Sequence, residues 1–175
     1  MKPKDSGVEM AFDPIGGIKT IVEWMCKDIE CMKKGDANVA IALCILTYSE
    51  ALGRFMKATS NNPAKGLGLC AFIYFFDKMG YNASESQIIY KKLRNGMAHS
   101  YIPNKKANFD MVTGSRGIDI TNPNDIHVNL LTLIDEFDKA TQSILSEISP
   151  PDPSGLVTDD FKRTPPIVSG ARADL

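Results

Sequence analysis

Apolar residues recur at Ile21, Val22, Met25, Ile29 and Met32, three or four apart, which predicts a helix over 18–34 with one face turned to a core. Gly35 closes that run, and Asp36 is placed to cap a second helix from about 37 to 58. Ile41, Ile45, Tyr48, Leu52 and Phe55 form one stripe of this helix, and Val39, Leu43 and Leu46 form another. A helix apolar around most of its circumference belongs at the centre of a bundle. "SNNPAKG" at 60–66 has the composition of a loop. The third helix, about 67–79, is rich in aromatic residues and ends at Gly80. Ser84, with Gln87 three positions on, has the pattern of a capping box for a fourth helix running to about Ser100.

The period then shortens. "NFDMVTGSRGIDIT" alternates around a Gly-Ser-Arg-Gly turn and predicts a β-hairpin at about 108–121. After "NPND", Leu130, Leu133, Ile134, Phe137, Ile144, Leu145 and Ile148 return to helical spacing, for a fifth helix over about 126–148. Residues 1–17 read as an N-terminal arm ending in a Pro14–Gly17 turn. Residues 149–175, which carry half of the ten prolines, read as a flexible tail. The predicted architecture is an all-α bundle of about five helices, residues 18–148, with one hairpin inserted before the last helix.

Composition narrows the function only a little. The 175 residues are 43% hydrophobic, enough for one domain with a sizeable core. A formal net charge of -1 gives no global basic field, so nucleic-acid binding would need a local patch. Cys26, Cys31, Cys44 and Cys70 lie in apolar, helical contexts without the spacing of a zinc site or a disulfide frame, and read as buried reduced thiols. No cofactor or metal is implied. The start, "MKPKDSGVEM", lacks the apolar core of a signal peptide, and the run "LGLCAFIYFF" at 67–76 is about half a bilayer crossing. These features predict a cytoplasmic protein without a membrane partner.

Candidate chemistry concentrates in "RNGMAHSY" at 94–101, which holds one of only two histidines. With Leu93 at the centre of the core face and about 100° per residue, Arg94 lies to one side of the outward face and His99 to the other. Lys91, Asn95 and Ala98 lie between them. Gly96, inside an exposed helix, costs roughly 1 kcal/mol against alanine, and implies either close approach by a partner or a helix loosening near its end. Arginine grips phosphate oxygens in a bidentate manner, and histidine as a residue type moves protons near neutral pH. Such a pair can cleave RNA by activating the ribose 2′-hydroxyl. Asn95, one turn before His99, is placed to orient the imidazole. His127 after "NPND" reads as a capping or solvated residue, Trp24 as core, and Glu23, Asp28 and Glu30 form no catalytic pair.

"LRNGMAHSY" resembles the signature of HEPN domains, small all-α bundles whose ribonuclease members carry an arginine, usually a polar neighbour, and a histidine after four to six intervening positions. Arg94, Asn95 and His99 match with four between. Tyr101, two beyond the histidine, matches a longer form found in toxins whose partner nucleotidyltransferase silences them by modifying that tyrosine. "ALCILTYSEALGRF" is similar to the second helix of bacterial HEPN proteins, which would turn Glu50 or Arg54 toward the site. The hairpin and the tail depart from the minimal fold.

The resemblance implies a cytosolic homodimer meeting through helix four. It further implies metal-independent endoribonuclease activity, as a toxin or defence effector. Arg94 would stabilise the phosphate, His99 act as acid and base, and Asn95 position it. RNA would be held by Lys91, Lys92, Lys105, Lys106 and Arg116. The other reading is a non-catalytic HEPN module that binds protein, RNA or nucleotide.

Overall fold

The computed structural model describes residues 14–59, 68–100, 106–122 and 125–148. The expectations for residues 1–13, for the loop at 60–66, for Tyr101 and Lys105 and for the tail from 149 lie outside them. The chain is mostly helical, with a small three-stranded sheet packed beside the helices.

Helix α1 spans Pro14–Lys34. It begins four residues before the sequence reading put it, because proline fits the first helical position, where its missing N–H costs nothing. Thr20 Oγ1 already donates to the Gly16 carbonyl at 3.0 Å, across what the sequence suggested was a turn. Ile18, Val22, Met25 and Ile29 form its buried stripe. Trp24 lies off that stripe and is 61% exposed, so it is a surface residue and not core.

The end of α1 differs from the expected cap. Ala37 N–H bonds to the Met32 carbonyl at 3.1 Å and Asp36 N–H to Lys33 at 3.4 Å, the two bonds of a Schellman ending. Asp36, with φ of 52°, takes the left-handed position after the helix and does not cap the next one. The same ending recurs where α3, Gly68–Lys78, stops. Tyr81 N–H reaches Phe76 and Gly80 N–H reaches Asp77, with Gly80 at φ of 89°. Phe76 and Tyr81 then pack ring to ring at 5.1 Å, the hydrophobic contact that accompanies this motif.

Helix α2, Asn38–Thr59, is the axis of the fold and packs on α1, α3 and the last helix. By length and hydropathy its stretch 38–56 would suffice to cross a bilayer, and half of that stretch is buried inside the bundle. Its central position accounts for the apolar composition. Gly53 lets α3 approach until backbones touch: a Cβ there would stand 2.6 Å from the Ala71 carbonyl carbon and 3.2 Å from its Cα.

The fourth helical segment is built in three pieces that run on without a break. These are α4 (Ala83–Ile89), a wide π turn (Tyr90–Arg94) and α5 (Asn95–Ser100). Its cap is Asn82, whose side chain accepts from Glu85 N–H at 3.0 Å while Glu85 returns a bond to Asn82 N–H at 2.8 Å. The box expected at Ser84 and Gln87 is therefore two residues late. Gly96, expected on an exposed face, is buried with Leu93 and Met97.

Strand β1 (Lys106–Asp110) pairs in parallel with β3 (Asp125–Asn129), and β2 (Ile118–Asp119) pairs antiparallel with the other edge of β3. The predicted hairpin over 108–121 does not form, because β3 inserts between its two arms. Residues 126–129, expected as the start of the last helix, belong to strand β3, and α6 runs Leu130–Ile148. His127 sits on the outer face of β3, exposed, while Ile126 and Val128 face inward.

The Gly-Ser-Arg-Gly stretch is a strap, not a turn. Gly114 N–H donates to Thr132 Oγ1 and Gly117 N–H to Glu136 Oε1, both on α6. Arg116 bonds both Glu85 oxygens, at 2.5 and 3.2 Å, and the Gly80 carbonyl at 3.0 Å, over the ring of Tyr81. It is committed to this corner and is not a free cation for RNA.

The hydrogen bonds from Arg116 hold the Glu85 carboxyl below its ordinary value of 4.5, which gives a sign for pH dependence. A depressed carboxyl contributes stability above its unfolded pKa and loses it as pH falls through the folded one. Glu85→Gln should therefore cost about 1 kcal/mol near neutral pH, and the difference from the parent should shrink as pH drops below 4.5. Urea melts at several pH values measure it. A cost that does not change with pH would mean the ion pair is not what Glu85 contributes.

Candidate functional site

Helix α2 supplies two site residues from one face. Glu50 and Arg54 stand four apart, so their side chains meet. Arg54 Nε and Nη2 both donate to Glu50 Oε1, at 3.2 and 2.6 Å. The second carboxylate oxygen, Oε2, lies 2.6 Å from Arg94 Nη2 in the π turn. One carboxylate thus holds two guanidinium groups from two helices. Side-chain exposure is 7% for Glu50, 19% for Arg94 and 61% for Arg54, so the cluster has a closed end and an open one.

Burial of the Glu50 carboxylate demands compensation, and the surroundings supply it. Besides the arginines, the start of α3 abuts it. A Cβ on Gly68, the first residue of α3, would overlap Glu50 Oε1 and stand 2.8 Å from both Glu50 Cδ and Tyr90 Oη. Glycine there lets the positive end of the α3 dipole come up to the carboxylate.

Arg94 was expected on the outward side of its helix; the carboxylate draws it inward. Its guanidinium lies 5.3 Å from the centroid of the Tyr90 ring, and that ring meets Phe72 edge-on at 5.1 Å. Tyr90 and Arg94 open and close the π turn. Such wide turns often occur at functional sites. Arg94 Nη1 donates to Asn95 Oδ1 at a long 3.4 Å. Among the described residues Arg94 Nε has no hydrogen-bond partner, and Glu50 Oε2 meets Arg94 as an ion pair without hydrogen-bond alignment. Charge and stacking hold the guanidinium, and part of its donor capacity is unused.

Of the other predicted residues, Asn95 touches the cluster, through Arg94. His99 is exposed on α5, and the Oδ1 of Asn95, the side chain expected to orient it, lies on Arg94 instead. Lys91 is exposed and Lys92 half-buried, both in the π turn. Lys106 is exposed on β1, 3.8 Å from Asp125. Sequence reasoning missed Tyr90 and Gly68. Tyr90 stands four residues before Arg94, and Gly68 lies in "GLG", where the 60–66 loop gives way to α3.

The cysteines depart from expectation as well. Cys31 is exposed and the other three are half-buried, all as free thiols. Burial pushes the Cys44 thiol above its ordinary pKa of 9.0. Among the described residues no three His, Cys, Asp or Glu side chains gather where they could share a metal ion. No family model matches the chain, and no curated protein or solved structure matches it either.

Proposed function

We propose that the chain is a metal-independent endoribonuclease of HEPN type. The observation that carries this reading is the ion pair between Glu50 of α2 and Arg94 of the π turn, which fixes the arginine of the "RNGMAH" motif against the bundle. An arginine so held contributes a pre-positioned charge for the phosphorane-like transition state, with little to reorganise at the moment of reaction. His99, exposed one turn on, is open to substrate. In the proposed reaction His99 takes the proton of the ribose 2′-hydroxyl and the 2′-oxygen attacks the adjacent phosphorus. The 5′-oxygen leaves as a proton is returned to it. The products are a 2′,3′-cyclic phosphate and a 5′-hydroxyl. On one helix Arg94 and His99 lie about 140° apart by the 100° step. We therefore place the working site at a two-fold between helix-four segments of two cytosolic copies, with a nucleotidyltransferase as candidate antitoxin acting on Tyr101.

A second reading is favoured by one detail. An arginine already paired to Glu50 can be purely structural, leaving the helix-four face as a binding module for protein or nucleotide. Purified protein incubated with total RNA in EDTA separates the two. Cleavage that leaves cyclic phosphate ends, reduced at least a hundredfold in His99→Ala at unchanged helicity, supports the enzyme. Intact RNA would leave the binding module.

A further inference from the structure

We infer that Arg54 is a second phosphate-binding arginine of this site, taking a backbone phosphodiester of the RNA together with Arg94; its place as a ribonuclease subsite rests on the reading above. The first ground is charge. Two guanidinium groups share the single Glu50 carboxylate, which leaves one positive charge in excess at the start of α3. A positive excess of this kind at an open edge attracts an anion, and helix N-termini add to the attraction.

The second ground is geometry. Arg54 presents its Nε and Nη2 to one carboxylate oxygen, so Glu50 fixes the plane of the guanidinium. Its Nη1 has no partner among the described residues, and the side chain is 61% exposed. The guanidinium is therefore oriented at one edge and open at the other, as bidentate recognition of a phosphate requires. Arg94 lies across the same carboxylate, and among the described residues its Nη1 is engaged only by the long Asn95 contact. The two guanidinium groups meet the two oxygens of one carboxylate, so one phosphate or two consecutive ones can touch both groups.

The test uses the full chain and a fluorescently labelled, non-cleavable 2′-O-methyl oligoribonucleotide, with binding followed by anisotropy over a salt series. Arg54→Ala should weaken binding about tenfold and lower the slope of log K against log salt by roughly 0.7, the share of one phosphate contact on a single strand. Arg54→Lys should restore the slope but not the full affinity, because lysine keeps the charge and loses the fork. A role limited to orienting Glu50 would not move the salt slope. Unchanged affinity and slope in Arg54→Ala, or no binding by the parent chain, would overturn the inference. Cleavage of unmodified RNA is scored separately. Arg54-dependent binding without cleavage would support the phosphate site while removing the ribonuclease reading.

Discussion

Replacing Gly53 with alanine should destabilise the bundle by about 3 kcal/mol, at the upper end of what overpacking costs, and lower the melting temperature by on the order of 10 °C. The cause lies in one contact. A Cβ at this position would overlap the Ala71 carbonyl, with 2.6 Å to its carbon and 3.2 Å to its Cα. Backbone cannot rotate away as a side chain can, so α2 and α3 must separate, and Phe72, Phe75 and Phe76 lose part of their packing on α2. A mid-helix glycine ordinarily gains about 1 kcal/mol when changed to alanine; here the sign reverses. Gly35 supplies the internal control. Its Cβ would meet only the Met32 and Cys31 carbonyls, at 3.7 and 3.9 Å, in ordinary van der Waals contact. Gly35→Ala should be neutral or stabilise by roughly 0.5 kcal/mol. Thermal melts of the two variants decide it: equal effects would mean that α2 and α3 are not as close as described.

What could be read from the sequence was local. Helical period placed α1, α2, α3 and most of α6, because each buries a stripe that the spacing of its own residues announces. Trp24 was misjudged on size: it stands about 120° from the Val22, Met25 and Ile29 stripe, and its position should have outweighed its hydrophobicity. The start of α4 carries two overlapping patterns, Asn82 with Glu85 and Ser84 with Gln87, and both satisfy the capping rule. The Schellman ending at Gly80 and Tyr81 decides between them, since the chain turns there and Asn82 is the next residue available. Strand pairing was not legible. Alternation at 108–121 identifies extended chain but not its partner, and β3 arrives from beyond β2 to pair with both.

At the site, the sequence signal was stronger than its use. Glu50 lies in "ALCILTYSEALGRF", on a helix otherwise apolar around most of its circumference. A carboxylate in that position must be paired, which asks for a cation on a neighbouring element. Arg94 answers, but only the fold shows that the π turn brings it there. No periodicity announces a π turn, in which Asn95 N–H reaches back to the Tyr90 carbonyl within an unbroken helical pattern.

The pairing makes Glu50 the residue whose loss should be felt in both stability and chemistry. Glu50→Ala is expected to cost about 3 kcal/mol. That is the low end for breaking a buried ion pair, since Arg94 is only mostly buried and Arg54 can turn to water. Glu50→Gln keeps the shape and should cost less, because an amide oxygen still accepts from one arginine. Arg54→Ala should cost under about 1 kcal/mol, as an exposed pair does. The coupling can be isolated in a double-mutant cycle with Arg94→Met. With the arginine gone, removing Glu50 should cost less than half of what it costs in the parent, because no buried cation is then left unpaired. Where the variants remain folded, RNA cleavage by Glu50→Gln should fall about a hundredfold. A guanidinium released from Glu50 shifts on the scale of an ångström, and displacement of that size is enough to lose such a factor. Arg54→Ala, which leaves the Glu50–Arg94 pair in place, should lose less in the cleavage step than Glu50→Gln does. If Glu50→Ala melts within a degree or two of the parent, the carboxylate is not buried between the two arginines, and the account of how Arg94 is held must be abandoned.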